Sequence, residues 1–65
     1  MSLHEYQESQ ELARRDVSFY GLIMAAMRRA DDVNLTLLRQ SFPLQWRELR
    51  ARYDAPGGRL PGEVA

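Results

Sequence analysis

The chain has 65 residues, no cysteine and one histidine, and its nine acidic residues balance nine basic residues, all of them arginine. A domain this small buries only about 60% of the surface that its unfolded chain exposes, so it usually needs a further source of stability. Disulfides are excluded, structural zinc is disfavoured without cysteine, and self-association is the source that remains. The balanced charge gives no overall attraction toward nucleic acid or an anionic membrane.

The first predicted helix begins at about residue 3 and runs to about Arg15. Ser2 and Glu5 have the spacing of a capping box, which satisfies free amide groups at a helix start. The apolar positions of this helix form a thin and interrupted stripe made of Leu3, Tyr6, Ala13 and Val17. Such a helix is expected to lie on a surface and to fray.

The second predicted helix follows Asp16, a good N-cap residue, and covers the segment VSFYGLIMAAMRRA. It is apolar around much of its circumference, and a helix of that kind must be buried on most sides. A chain of this length has few other elements to cover it. The sequence therefore predicts a homodimer or higher oligomer with these candidate interface residues: Phe19, Tyr20, Ile23, Met24 and Met27.

Two further helices are predicted after Asp31 and Asp32, which mark a break and a new helix start. The third covers about residues 33 to 41 and stops before Phe42, because the residue before a proline is disfavoured in helical conformation. The fourth covers residues 43 to 53, since proline suits the first helical position. Its apolar residues recur at intervals of three and four and are Trp46, Leu49 and Tyr53.

The last residues read APGGRLPGEVA, and their three glycines and two prolines exclude a regular helix or strand. We expect a helical domain over residues 1–54 and an irregular tail over residues 55–65. The tail is either solvated and disordered or an extended segment in which Leu60 and Val64 dock onto its own domain or a neighbour. The predicted fold class is all-α, a compact bundle of three to four short helices with this irregular tail.

No catalytic or metal site is predicted. His4 is the only imidazole and lies at a helix start, where it is poorly placed to serve as the base that activates a nucleophile. His4, Glu5 and Glu8 share a helical face, but acidic residues at a helix start are explained by the helix dipole. Asp31 and Asp32 are better explained as capping and turn residues. We therefore expect a non-enzyme with no cofactor and no metal.

The remaining polar feature is a pair of arginines, Arg47 and Arg50, on one face of the fourth helix. As a helix-turn-helix, residues 33 to 41 would support a recognition helix over residues 43 to 53. The start of that helix offers only Gln45 as a polar side chain for reading bases. A small DNA-binding regulator is therefore the alternative function, with nucleic acid as a possible but not favoured partner.

A membrane location is not expected. The longest apolar run covers residues 22–27, far short of the ~20 residues that a membrane span requires. The first residues are polar and acidic, unlike a signal peptide. With the lack of cysteine, which fits a reducing compartment, these features predict a cytoplasmic protein.

Three segments, FYGLIMAAMRRAD, NLTLLRQSFPLQW and ELRARYDAPGGRLPGE, carry a resemblance that covers about residues 6–63. The chain resembles small helical proteins of unknown function encoded by actinobacterial bacteriophages and prophages. The resemblance implies a GC-rich host, in keeping with the arginine-only basic residues, and a cytoplasmic accessory role in infection. It transfers no functional residues. The predicted function is a non-catalytic protein-binding or regulatory accessory protein acting on a host or phage protein.

Overall fold

The structure is a computed structural model that describes residues 2–63. Its regular elements are helices α1 (Leu3–Ala13), α2 (Phe19–Arg29), α3 (Asp32–Ser41) and α4 (Pro43–Tyr53), followed by a short 3-10 turn at Pro56–Gly58. Residues 2–63 contain no strand. The predicted all-helical fold with four short helices is confirmed.

Polar side chains fix the starts of α1 and α2. At α1 the Ser2 hydroxyl accepts the Glu5 amide at 3.1 Å and the Glu5 carboxylate accepts the Ser2 amide at 3.0 Å, so the capping box is confirmed. At α2 the capping residue is Ser18, whose hydroxyl accepts the Gly21 amide at 3.0 Å. The prediction of Asp16 as the cap is therefore wrong. Serine caps as well as aspartate, and a cap at Ser18 leaves the β-branched Val17 outside the helix.

The starts of α3 and α4 agree with the sequence. The Asp31 carboxylate accepts the Asn34 amide at 2.8 Å and caps α3. Pro43 occupies the first turn of α4, where its missing amide hydrogen costs nothing. Phe42 alone separates α3 from α4, with φ of −130° and ψ of 63°. The direction of the chain therefore changes at a single residue.

The core is formed by α2, α3 and α4, which pack against one another, while α4 also contacts the 3-10 turn. Met27 of α2 and Leu49 of α4 are its buried side chains, at 3% and 7% exposure. Helix α1 packs closely against no other helix within residues 2–63. The predicted surface position of α1 agrees with this arrangement.

The molecule is more open than the compact bundle that the sequence predicts. Its radius of gyration is 13.8 Å, whereas a compact chain of this length has about 11 Å. Its accessible surface is 5735 Å², whereas about 4,300 Å² is usual for a folded monomer of 7.6 kDa. The cause is the position of α1, which lies apart from the other three helices and covers little of their apolar surface.

Candidate functional site

The five predicted interface residues of α2 divide between surface and core. Phe19 and Tyr20, in the first turn, are 60% and 51% exposed. Ile23 and Met24 are half-buried, and Met27 is part of the core. The start of α2 is therefore open to a partner, whereas Met27 packs inside its own chain and is not available to one.

The exposed aromatic side chains at the start of α2 continue into a shallow groove between α2 and α3. The Phe19 ring meets the rings of Tyr20 and Phe42 edge to face, with centroids 5.2 and 6.0 Å apart. Edge-to-face packing is favourable for aromatic pairs and orders the three rings. We call this surface the apolar face and define it by the residues Phe19, Tyr20, Ala26, Leu37, Leu38 and Phe42.

A second groove lies between α2 and α4 and has a volume of about 330 Å³. Met27 and Leu49 belong to the core and also line this groove, and Arg28 and Arg50 add positive charge. We call it the arginine groove and define it by its lining residues, which are Met27, Arg28, Leu35, Trp46, Leu49, Arg50, Tyr53 and Asp54. It combines a mainly apolar lining with cationic side chains.

Arginine side chains lie over the aromatic rings of the arginine groove. The guanidinium carbon of Arg28 is 5.7 Å from the centroid of the Tyr53 ring. Those of Arg39 and Arg50 are 4.9 and 5.8 Å from the Trp46 ring. Cation–π attraction holds a guanidinium near a ring while leaving its N–H groups free to bind an anion.

The predicted polar contact residues Arg47 and Arg50 are both exposed. Arg50 lies at the arginine groove, and Arg47 lines a neighbouring depression that also contains Arg39 and Trp46. Among residues 2–63, the arginines that have a carboxylate within 4 Å are Arg14 and Arg52. The arginines around Trp46 are therefore without an acidic partner in this part of the chain.

The tail folds back onto α4 through Arg52, which lies at the centre of a polar cluster. Its Nη1 and Nη2 donate to the two carboxylate oxygens of Glu63 at 2.6 and 2.7 Å. Its Nε donates to Glu48 at 3.1 Å and its Nη1 also donates to the Gly58 carbonyl at 2.8 Å. Glu63 also accepts the Leu60 amide at 2.8 Å. A bidentate arginine–carboxylate pair is directional, so it positions the tail as well as attracting it.

The contacts around Arg52 change the pKa values of both partners of the ion pair. The hydrogen bonds from Arg52 and from the Leu60 amide lower the pKa of Glu63 to about 2. The hydrogen bonds of Arg52 with Glu63 and with Glu48 raise the pKa of Arg52 above its ordinary value.

The same contacts decide between the two predictions for the tail. The tail docks on its own domain, with Leu60 half-buried as the second prediction expects, while Val64 lies outside the described residues. Glu48 and Arg52 are four residues apart on one helix, a spacing typical of ion pairs, but no local spacing points to Glu63.

The candidate catalytic and metal-binding groups do not converge. His4 faces Glu8 across 3.4 Å at the exposed start of α1, and Asp31 serves as a helix cap. Within residues 2–63 no group of three or more His, Cys, Asp or Glu side chains is arranged to hold a metal ion. The helices of that part of the chain are too short or too polar to cross a membrane.

Comparisons with protein-family models, with curated proteins and with solved structures return no match for this chain. The apolar face and the arginine groove are two surfaces of this chain with the composition of a binding site.

Proposed function

We propose that this chain is a non-catalytic protein-binding or regulatory accessory protein that works as a homodimer. The observation that supports the proposal is how little of the chain is buried. Met27 and Leu49 are the buried hydrophobic residues of the described chain, whereas ten large hydrophobic side chains are exposed. These ten are Leu3, Tyr6, Leu12, Val17, Phe19, Tyr20, Val33, Leu37, Leu44 and Tyr53.

The surface area favours a protein partner of ordinary size. The accessible surface of 5735 Å² exceeds by about 1,400 Å² the value for a compact monomer of this mass. A standard protein interface covers about 800 Å² on each partner. A dimer that covered the apolar face would bring the exposed area closer to the usual range, and it would supply the stability that a 65-residue chain without disulfides needs.

The proposed setting is the cytoplasm of a bacterial cell infected by, or carrying, a bacteriophage, where the protein acts on a host or phage protein. The resemblance of the three sequence segments and the arginine-only basic residues support this setting. Binding without catalysis fits the places of His4, which faces Glu8 at the exposed start of α1, and of Asp31, which caps α3. A partner protein is expected at a surface that the assembled dimer presents.

The proposal is tested by a matched pair of substitutions, Phe19→Asp and Leu44→Asp. Both side chains are well exposed, at 60% and 67%, and both lie in the first turn of a helix, where an aspartate favours the helix dipole. Phe19 belongs to the apolar face through its ring contacts with Tyr20 and Phe42. Leu44 is not part of that face and does not line the arginine groove.

Light scattering coupled to size exclusion measures the outcome. We expect the unchanged chain and the Leu44→Asp variant to be dimers, and the Phe19→Asp variant to be a monomer with unchanged helix content. If all three chains are monomers over the accessible range of concentration, the chain does not self-associate and the proposal is wrong.

A DNA-binding regulator is the second candidate because Arg39, Arg47 and Arg50 lie together without acidic partners in residues 2–63. The junction between α3 and α4 argues against it, since Phe42 alone replaces the turn of about three to four residues found in a helix-turn-helix. A salt-sensitive shift of a labelled duplex at low ionic strength, weakened by Arg47→Ala and Arg50→Ala, would favour this candidate.

A further inference from the structure

We infer that helix α1 of one copy docks in the arginine groove of a second copy, and that the two copies exchange α1 reciprocally. The inference rests on the proposed self-association and goes further by naming the groove and the segment that fills it. It depends on three features of residues 2–63: the unfilled groove, the acidic surface of α1, and the loose attachment of α1 to its own chain.

The composition of the arginine groove is complementary to an acidic, partly apolar occupant. Its volume of about 330 Å³ is roughly twice that of an engineered apolar cavity of about 150 Å³ that binds benzene. Trp46 and Tyr53, which are less buried than the core residues Met27 and Leu49, give the occupant apolar surface to cover. Arg28 and Arg50 have no carboxylate within 4 Å in the described chain, and covering them favours a partner that brings carboxylates.

Helix α1 has the complementary chemistry. Residues 3–13 contain Glu5, Glu8 and Glu11 and no arginine, and the spacing of three residues places the three carboxylates along one side of the helix. Leu12 follows Glu8 by four residues, so it lies on the same side, and it is 44% exposed. That side of α1 offers a leucine for the apolar lining of the groove. Its Glu8 and Glu11 carboxylates, which form exposed contacts with His4 and Arg14 in one chain, would exchange these contacts for the groove arginines.

The attachment of α1 to its own chain is weak. Glu8, Glu11 and Leu12 face Leu22 and Ala25 of α2 across an open space of about 640 Å³. No closer packing joins α1 to α2, α3 or α4, and residues 14–18 connect α1 to α2 without regular helix. Exchange of an element between copies loses little when the contacts within one chain are few.

A polynucleotide is the competing occupant, and the groove suits it less well. Asp54 lies among the lining residues and would repel phosphate. The balanced charge of the whole chain provides no long-range attraction for a polyanion. An acidic helix brings three carboxylates in place of a continuous run of phosphates, so its repulsion from Asp54 is smaller.

A charge-exchange experiment tests the inference with two variants of the full chain. The first carries Arg28→Glu and Arg50→Glu, which reverses the charge of the groove, and the second carries Glu8→Arg and Glu11→Arg, which reverses the charge of α1. Alone, each variant places like charges at both contacts of the exchanged dimer, and we expect its dimer dissociation constant to rise at least about tenfold. An equimolar mixture restores opposite charges at both contacts, so we expect it to form a heterodimer.

The control is Arg59→Glu in the unchanged background, with circular dichroism of every variant. Arg59 lies outside the groove, so this variant should remain a dimer. The restored heterodimer should weaken between 0.1 and 1 M salt, because the Debye length falls from about 10 Å to about 3 Å.

A cross-linking measurement keeps the test decisive where a charge variant fails to fold. The chain has no cysteine, so Leu12→Cys and Tyr53→Cys each introduce a single thiol. Mixing the two single-cysteine chains under mild oxidation should give a disulfide between Leu12→Cys of one copy and Tyr53→Cys of the other. The control mixture replaces Tyr53→Cys with Arg59→Cys, outside the groove, and should cross-link much less.

Two results would overturn the inference and separate it from the proposed function. Dimers that form equally well in both charge variants and in the mixture would show that α1 does not occupy the groove, while self-association would stand. A monomeric unchanged chain would overturn both. Binding of a labelled oligonucleotide that is lost with Arg28→Glu and Arg50→Glu would instead assign the groove to nucleic acid.

Discussion

Helices α1 and α4 have the same length of 11 residues, but α1 is held by local hydrogen bonds and α4 by packing against other elements. Helix α1 has a complete capping box and an ion pair between Glu11 and Arg14, yet it packs closely against no other helix in the described chain. Helix α4 has no side-chain cap, yet it packs against two helices and the 3-10 turn and contributes Leu49 to the core. Local hydrogen bonds define where a helix begins, whereas the spacing of its large apolar side chains determines where it packs.

The largest difference between the two helices should appear in their response to leucine truncation. Leu49 is one of the two buried side chains, with Met27, and Leu49→Ala should lower the free energy of unfolding by about 2–5 kcal/mol. Leu12→Ala, in α1, should lower it within one chain by no more than about 0.5 kcal/mol, since Leu12 is 44% exposed. Urea unfolding at a concentration where the chain is monomeric measures both. Equal losses would show that α1 is part of the cooperative core.

A smaller effect is expected from the tail contact of α4, and it should depend on pH. The pKa of Glu63 is lowered from 4.5 to about 2 in the folded chain, so the stability from this contact is complete above pH 4.5. It is lost as the pH falls from 4.5 toward 2, because the carboxylate is then protonated. The protection of the Leu60 amide, which donates to Glu63, should be lost over that range when its exchange rate is compared with the intrinsic rate at each pH.

Glu63→Gln serves as the control for this pH dependence. Glutamine cannot ionise and does not form the charged pair with Arg52. The Leu60 amide of this variant should therefore have low protection, relative to its intrinsic exchange rate, at every pH, while the helices keep their protection. A Leu60 amide that is equally protected at pH 2 and pH 6 in the unchanged chain would show that Glu63 does not hold the tail.

The smallest effect should come from the cap of α1. Ser2→Ala removes the hydroxyl that accepts the Glu5 amide, a change that usually costs about 1 kcal/mol of helix stability. Because α1 packs on no other helix within residues 2–63, we expect weaker protection of the Glu5 and Tyr6 amides and an unchanged urea midpoint of the monomer. A shift of that midpoint as large as the one from Leu49→Ala would contradict the loose attachment of α1.

The sequence predicted the helices well because their boundaries depend on local chemistry. Ser2 with Glu5, Asp31 and Pro43 each fix a helix start through groups a few residues away. The start of α2 was the exception, since Asp16 and Ser18 are both good caps and a sequence does not rank them.

The contacts between distant residues could not be predicted in the same way. Glu63 reaches Arg52 across 11 positions, and only the turn at Pro56–Gly58 brings the two together. The arginine groove combines Arg28 of α2, Arg50 of α4 and Leu35 of α3, which have no shared spacing in the sequence. The apolar character of α2 did not separate the exposed residues Phe19 and Tyr20 from the core residue Met27.

The most direct measurement is the solution mass of the unchanged chain by light scattering coupled to size exclusion, over a range of protein concentrations and at two salt concentrations. We expect a discrete dimer with twice the chain mass of 7.6 kDa, and a weaker dimer at the higher salt concentration. A mass of 7.6 kDa at every concentration and both salt levels would contradict the account.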